Sequence, residues 1–152
     1  MKITGYKLDK YIEQLDRAIG DANYPKGDDL MGMSILQIET DEGITGMAPG
    51  GNDAIESLFH LIEGRDPRGV VGLWKEMVDW VHKGNNEGAV NAAISAIDVA
   101  LWDLKAKIND EPLWQTLGAM EGRAKAYASD IGYNLSDDEL HAFYSRMADM
   151  GI

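Results

Sequence analysis

The stretch that decides the fold is Ala89-Val-Asn-Ala-Ala-Ile-Ser-Ala-Ile-Asp-Val-Ala-Leu-Trp-Asp-Leu-Lys-Ala-Lys-Ile108. Before its C-terminal end the polar positions are Asn91, Ser95, Asp98 and Asp103. The first three form one narrow line at i, i+4 and i+7, and the rest of the circumference is apolar. A helix of this composition packs on most of its sides and predicts the centre of a domain. Its polar interruptions argue against a membrane span.

Upstream lie two further helical patterns. Ile55, Leu58, Phe59 and Ile62 share a face, with Asp53 as cap, Glu56 completing a box-like pattern and Gly64 as stop. Asp66-Pro67 signals a second start, followed by a stripe of Val70, Trp74, Met77, Val78 and Val81. Residues 2–48 read as β. A first extended stretch covers 2–15, and a polar Gly/Pro-bearing loop covers 20–29. Residues 31–40 alternate as a strand, Asp41-Glu-Gly43 makes a hairpin turn, and 44–48 return. Downstream, residues 112–118 form a short helical piece. Residues 126–129 are expected as a short strand, and Ser136-Asp-Asp-Glu139 is a capping box opening a last helix that ends at Gly151. The order is three strands, three helices and one βα unit.

Composition narrows the function. The 152 residues carry 26 acidic and 14 basic side chains, a formal net charge of −12. Such a chain repels phosphate backbones and anionic lipid surfaces, so neither nucleic acid nor membrane is an expected partner. The absence of cysteine removes disulfides, thiolate metal sites and a cysteine nucleophile, and fits a reducing cytoplasm.

Thr40-Asp-Glu-Gly-Ile-Thr-Gly46, Ala93-Ile-Ser-Ala-Ile-Asp-Val-Ala-Leu-Trp-Asp-Leu-Lys-Ala-Lys107 and Pro112-Leu-Trp-Gln-Thr-Leu-Gly118 together resemble the capping domain of the enolase superfamily, mandelate racemase and muconate lactonizing type. The resemblance covers essentially the whole chain. It implies an α+β capping domain, a three-stranded antiparallel meander followed by a helical bundle, over residues 1–123. Residues 124–152 are then the first strand and helix of a truncated (β/α) barrel. A complete barrel needs about 250 residues, so the remainder of it is expected to be absent. The resemblance implies a parent enzyme that binds Mg²⁺ through barrel carboxylates and removes the proton α to a carboxylate. A small carboxylate, a sugar acid, is the implied substrate and a homo-oligomer the implied complete state. Dehydration of a sugar acid is the expected reaction; racemisation or cycloisomerisation are the other outcomes in the superfamily. A non-catalytic α+β interaction module is the competing class. The family's base and metal positions lie beyond Ile152, so no catalytic and no metal-ligating residue is expected here, and the chain alone is expected to be inactive.

Other arrangements have blander readings. Lys105 and Lys107 imitate a Lys-x-Lys base pair, but two residues apart on a helix they diverge and suit a solvated C-terminal end. Asp98 and Asp103, five apart, face different ways and read as structural partners fixing the cap against the barrel. His60, His82 and His141 are scattered, and no Gly-x-Ser-x-Gly elbow is present. The glycine-rich turn 46–52 lacks the ending of a phosphate loop. In the family this turn and the 20–29 loop lie near the active-site mouth. Tyr24, Lys26 and Asn52 are therefore the expected substrate contacts, joined by Ser129 and Asp130 at the end of the expected barrel strand. Lys26 is expected to pair with a substrate carboxylate or hydroxyl, and Tyr24 to wall the pocket.

Overall fold

In a computed structural model the described residues are 1–82, 88–128 and 132–152. They form strands β1 (Ile3–Ile19), β2 (Asp28–Thr40) and β3 (Thr45–Pro49), then helices α1 (Ile55–Phe59), α2 (Val70–Val81), α3 (Gly88–Ile108), α4 (Leu113–Thr116) and α5 (Asp137–Asp149). The three strands make an antiparallel sheet in the order β1-β2-β3. The chain divides into two units: residues 1–11 with 33–122, and residues 12–32 with 123–152.

The first unit is built on the sheet and α3. Leu36, Ile38 and Thr40 are the inward set of β2, and their alternation with Ile35, Gln37 and Glu39 fixes the register Leu36↔Ala48, Ile38↔Gly46. Gly43 turns the hairpin with φ 79°, its N–H bonding Thr40 O at 3.1 Å. β3 lies directly on α3. A Cβ at Gly46 would stand 2.2 Å from Ala100 O and 2.7 Å from Leu104 Cβ. Glycine is required there by the closeness of two backbones, not by its dihedral freedom.

β3 is also the edge of the sheet, and helix side chains occupy that edge. Met47 N donates to Asp103 Oδ2 at 2.8 Å, and Lys107 Nζ donates to Thr45 O at 2.9 Å while pairing with Asp103 at 2.7 Å. Unpaired edge groups invite pairing with another chain, and this staple blocks it. Asp103 thus joins helix to strand within the first unit, whereas the sequence reading placed its partner in the barrel. Lys107 is tied down rather than freely solvated.

Helix α3 buries Val90, Ala93, Ile94, Ala96, Ile97, Ala100, Leu101 and Leu104 in the core. The face carrying Asn91, Ala92, Ser95 and Val99 stays exposed, and Trp102 is half-buried under Lys105 Nζ, 5.0 Å from the ring. The helix is therefore central but wetter on one side than its apolar circumference predicts.

Three local expectations change. Asp53 is not the α1 cap: it pairs with Lys10 Nζ at 2.7 Å, and Asn52 Oδ1 takes the Ala54 N–H instead. The apolar face beyond α1 persists to the fully buried Ile62 as tight turns, and Gly64 N bonds Ile3 O at 2.8 Å. Helix α2 begins at Val70, because Asp66 is engaged by the backbone and guanidinium of Arg68. Its inward stripe is Val70, Leu73, Met77 and Val81, with Trp74 turned outward.

In the second unit the capping box at Ser136 forms as expected, with Ser136 N donating to Glu139 Oε2 at 2.8 Å. Gly151, at φ 79°, closes α5, where Ile152 N reaches Met147 O. The expected strand at 126–129 is a correction: residues 123–128 pair with no strand among the described residues, and position 129 lies outside them. A parallel strand exists only through a neighbour's ladder, which its own residues cannot supply.

Candidate functional site

Residues 20–27 connect β1 to β2 within the second unit. Gly20 and Gly27 form a buried neck, and residues 22–26 form an exposed tip. A Cβ on Gly20 would meet Pro25 O at 2.6 Å, and one on Gly27, at φ 69°, would meet Ile19 O at 2.6 Å. Inside the loop, Asp21 Oδ1 accepts the N–H groups of Asn23 and Tyr24 at 2.8 and 2.9 Å. Tyr24 O accepts from Asp21 N at 3.2 Å and Gly27 N at 3.0 Å. The shape of the loop is thus fixed by its own backbone and the Asp21 carboxylate. Tyr24 and Lys26 both lie on the exposed tip, and the Lys26 ammonium has no hydrogen-bond or ion-pair partner among the described residues.

Sequence reasoning missed Asn134. Its Nδ2 donates to Ala18 O at 2.8 Å and its Oδ1 accepts from Gly20 N at 3.2 Å. The only local signal is a polar turn residue ahead of the α5 cap; the contact spans more than a hundred positions.

Asn52 belongs to the first unit. Its Oδ1 caps Ala54 N and its Nδ2 donates to Ala89 O, both at 2.9 Å, so the carboxamide joins the β3–α1 turn to the start of α3. It borders a cleft of about 430 Å³ between β1 and the α1 entry, with Tyr6, Asp9, Lys10 and Glu56 on its walls. Asp9 is held there by Lys7 at 2.9 Å and Gln37 at 3.0 Å. In the second unit a cleft of about 370 Å³ lies between Arg17 and the Phe143–Arg146 face of α5. Ser129 and Asp130 lie outside the described residues.

The described residues contain no three His, Asp or Glu side chains converging as a metal site. The three histidines are exposed, His60 stacking edge-on against Trp80 at 5.0 Å. Burial pushes the Asp98 carboxyl above its ordinary value. No helix among the described residues is long and apolar enough to cross a membrane.

An antiparallel sheet whose edge strand is clamped to a long central helix, with further helices against it, is an α+β domain. The chain belongs to the mandelate racemase / muconate lactonizing enzyme family, whose N-terminal domain it matches over residues 30–118. Among solved structures it is similar to a racemase from Streptomyces coelicolor A3(2) with bound magnesium, at 25% identity and TM-score 0.84, covering 97% of this chain and 44% of that one. It is similar to the 3,6-anhydro-D-galactonate cycloisomerase from Zobellia galactanivorans at 28% identity and TM-score 0.66, covering 80% and 33%. It is also similar to the L-talarate/galactarate dehydratase from Salmonella typhimurium LT2, liganded with Mg and L-lyxarohydroxamate, at 26% identity and TM-score 0.66, covering 79% and 34%. The chain spans less than half the length of each of these relatives.

Proposed function

We propose that residues 1–123 are the cap, and residues 124–152 the first βα unit, of an enzyme that removes the proton α to a carboxylate and dehydrates a sugar acid. The similarity to a talarate/galactarate dehydratase supports the substrate class. The observation that carries the reading is the 20–27 loop, whose exposed tip carries the unpaired ammonium of Lys26 and the ring of Tyr24. A sugar acid offers a reacting carboxylate at one end and hydroxyls or a second carboxylate at the other. Lys26 takes the distal group by a charge-assisted hydrogen bond, and Tyr24 covers the carbon chain and excludes water. Ser129 and Asp130 are proposed as further contacts of this loop's substrate; Asn52, in the first unit, has its carboxamide taken up by Ala54 N and Ala89 O. Two of the relatives hold magnesium, and the described residues of this chain present no cluster of three His, Asp or Glu side chains that would take it.

The test is a panel of mono- and dicarboxylic sugar acids incubated with the full-length protein and Mg²⁺. Product is read as a 2-keto-3-deoxy acid, and α-exchange is read by NMR in D₂O. Dehydration of at least one sugar acid is expected. Exchange accompanied by racemisation or cycloisomerisation alone overturns the dehydratase reading, and absence of any exchange overturns the enzyme reading in favour of an interaction module.

A further inference from the structure

A chain with 26 acidic and 14 basic residues should find a carboxylate for each guanidinium. Two arginines of the first unit do: Arg65 is taken by both oxygens of Glu76 at 2.8 Å, and Arg68 by Asp66. Arg146, on α5, is different. It makes no hydrogen bond or ion pair with the described residues, and its guanidinium stands over the Phe143 ring, 6.0 Å from the centroid. It lines the cleft of about 370 Å³ in the second unit together with Arg17, half-buried on β1. Leu135, Ala142 and Phe143 supply the apolar lining. The carboxylate on the wall, Glu139, is turned back onto its own helix: Oε2 accepts from Ser136 N at 2.8 Å and from Ser136 Oγ at 2.7 Å. Those bonds, with the charge of Arg17, hold the Glu139 carboxyl below its ordinary value. A concave, largely apolar surface with a few polar groups is the usual form of a small-ligand site, and here those groups include two guanidiniums.

We propose that this cleft binds a small amphipathic oxyanion: Arg17 and Arg146 take its head group, and Leu135, Ala142 and Phe143 carry its apolar part. A guanidinium offers paired N–H donors matched to a carboxylate or phosphate and is more weakly hydrated than an ammonium. The cation–π contact with Phe143 already restrains Arg146, which lowers the cost of ordering it on binding. Neither Tyr24 nor Lys26 lines the cleft, so the site is distinct from the loop contacts proposed for the sugar acid and does not rest on them. Carboxylate and phosphate heads share this chemistry, and probes with one tail and different heads tell them apart.

Binding of hexanoate, hexyl phosphate and acetate to the full-length protein is measured by calorimetry in low-salt buffer without Mg²⁺, and amide NMR shifts of residues 139–146 locate it. The parent is compared with Arg146→Gln and Arg17→Gln, and kcat/KM on the sugar acid identified by the panel is measured beside them. Saturable binding of hexanoate or hexyl phosphate is expected, about tenfold or more weaker in Arg146→Gln, as loss of one charge-assisted contact implies. The preferred head names the ligand class, and kcat/KM should stay within twofold of the parent. Should Arg17→Gln unfold the chain, Arg146→Gln, at an exposed position, decides alone. No saturation by about 10 mM, or binding unchanged in Arg146→Gln, overturns the site whatever the panel finds. Acetate binding as tightly as hexanoate overturns the role of the apolar lining. A loss of kcat/KM in Arg146→Gln overturns the separation from the substrate site.

Discussion

Gly46→Ala is the most informative perturbation of the cap. The added methyl would sit 2.2 Å from Ala100 O, 2.7 Å from Leu104 Cβ and 3.1 Å from Ala100 C. Two of these neighbours are backbone atoms in mid-helix, so no rotamer change relieves the clash. β3 and α3 must part by about 1 Å, and a gap of that size forfeits a quarter to a half of each dispersion contact along the seam. Overpacking at such a position costs about 1–3 kcal/mol. The same displacement stretches the 2.8 Å bond from Met47 N to Asp103, and a hydrogen bond to a charged group is worth about 1.5–3 kcal/mol. Replacing glycine returns about 0.5–1 kcal/mol of backbone entropy. The net expectation is a destabilisation of about 3–4 kcal/mol, a large share of the ~5–15 kcal/mol typical of a domain. Urea unfolding followed by tryptophan fluorescence reads it as a lower midpoint with an unchanged slope. A loss below about 1 kcal/mol would refute the close approach of strand and helix.

Gly72 lies exposed inside α2 with open space around it, so Gly72→Ala should stabilise by about 0.5–1 kcal/mol in the same melts. Asp103→Asn removes the ion pair with Lys107 and weakens the acceptor of Met47 N, and should cost about 1–2 kcal/mol; thermal unfolding of the single variant and of Asp103→Asn with Lys107→Met would show coupling between the two sites. Because burial raises the Asp98 carboxyl above its ordinary 3.8, its charge opposes folding above the raised value, and this contribution makes stability fall as pH rises through that window. Asp98→Asn should therefore be more stable than the parent at neutral pH and lose that advantage in acid, read by urea midpoints across the range.

The parts legible in the sequence were those set by local pattern. The α3 run, the 41–43 turn, the Ser136 box and the buried alternation of β2 each follow from residues within a few positions of one another. What sequence reading missed was decided by distant partners. Asp53 and Asn52 are both good caps by type, and only Lys10, on β1, draws Asp53 away. Leu73 and Trp74 both suit a helical stripe, and the face that packs on α3 takes the smaller one. Asp103 was rightly read as structural, but its partner was an edge N–H that no spacing rule locates. In the candidate site, the 20–27 stretch was legible as a loop because Gly, Pro, Asn and Asp dominate it. Its closed neck was not, since that comes from Gly20 meeting Gly27 and from the hydrogen bonds of Asn134. Sequence position alone could not show that both ends of the Asn52 carboxamide bond the backbone.

The central claim is that Lys26 and Tyr24 read the distal end of a carboxylate substrate while proton abstraction occurs elsewhere. The direct measurement is kcat/KM of the full-length protein and its Lys26→Ala variant on the sugar acid identified by the panel, beside α-proton exchange on a short carboxylate lacking distal groups. Loss of one charge-assisted contact predicts a drop of about ten- to a hundredfold on the sugar acid, with exchange on the short acid unchanged. Equal loss on both substrates, or a change within twofold on the sugar acid for Lys26→Ala and Tyr24→Ala alike, would contradict it.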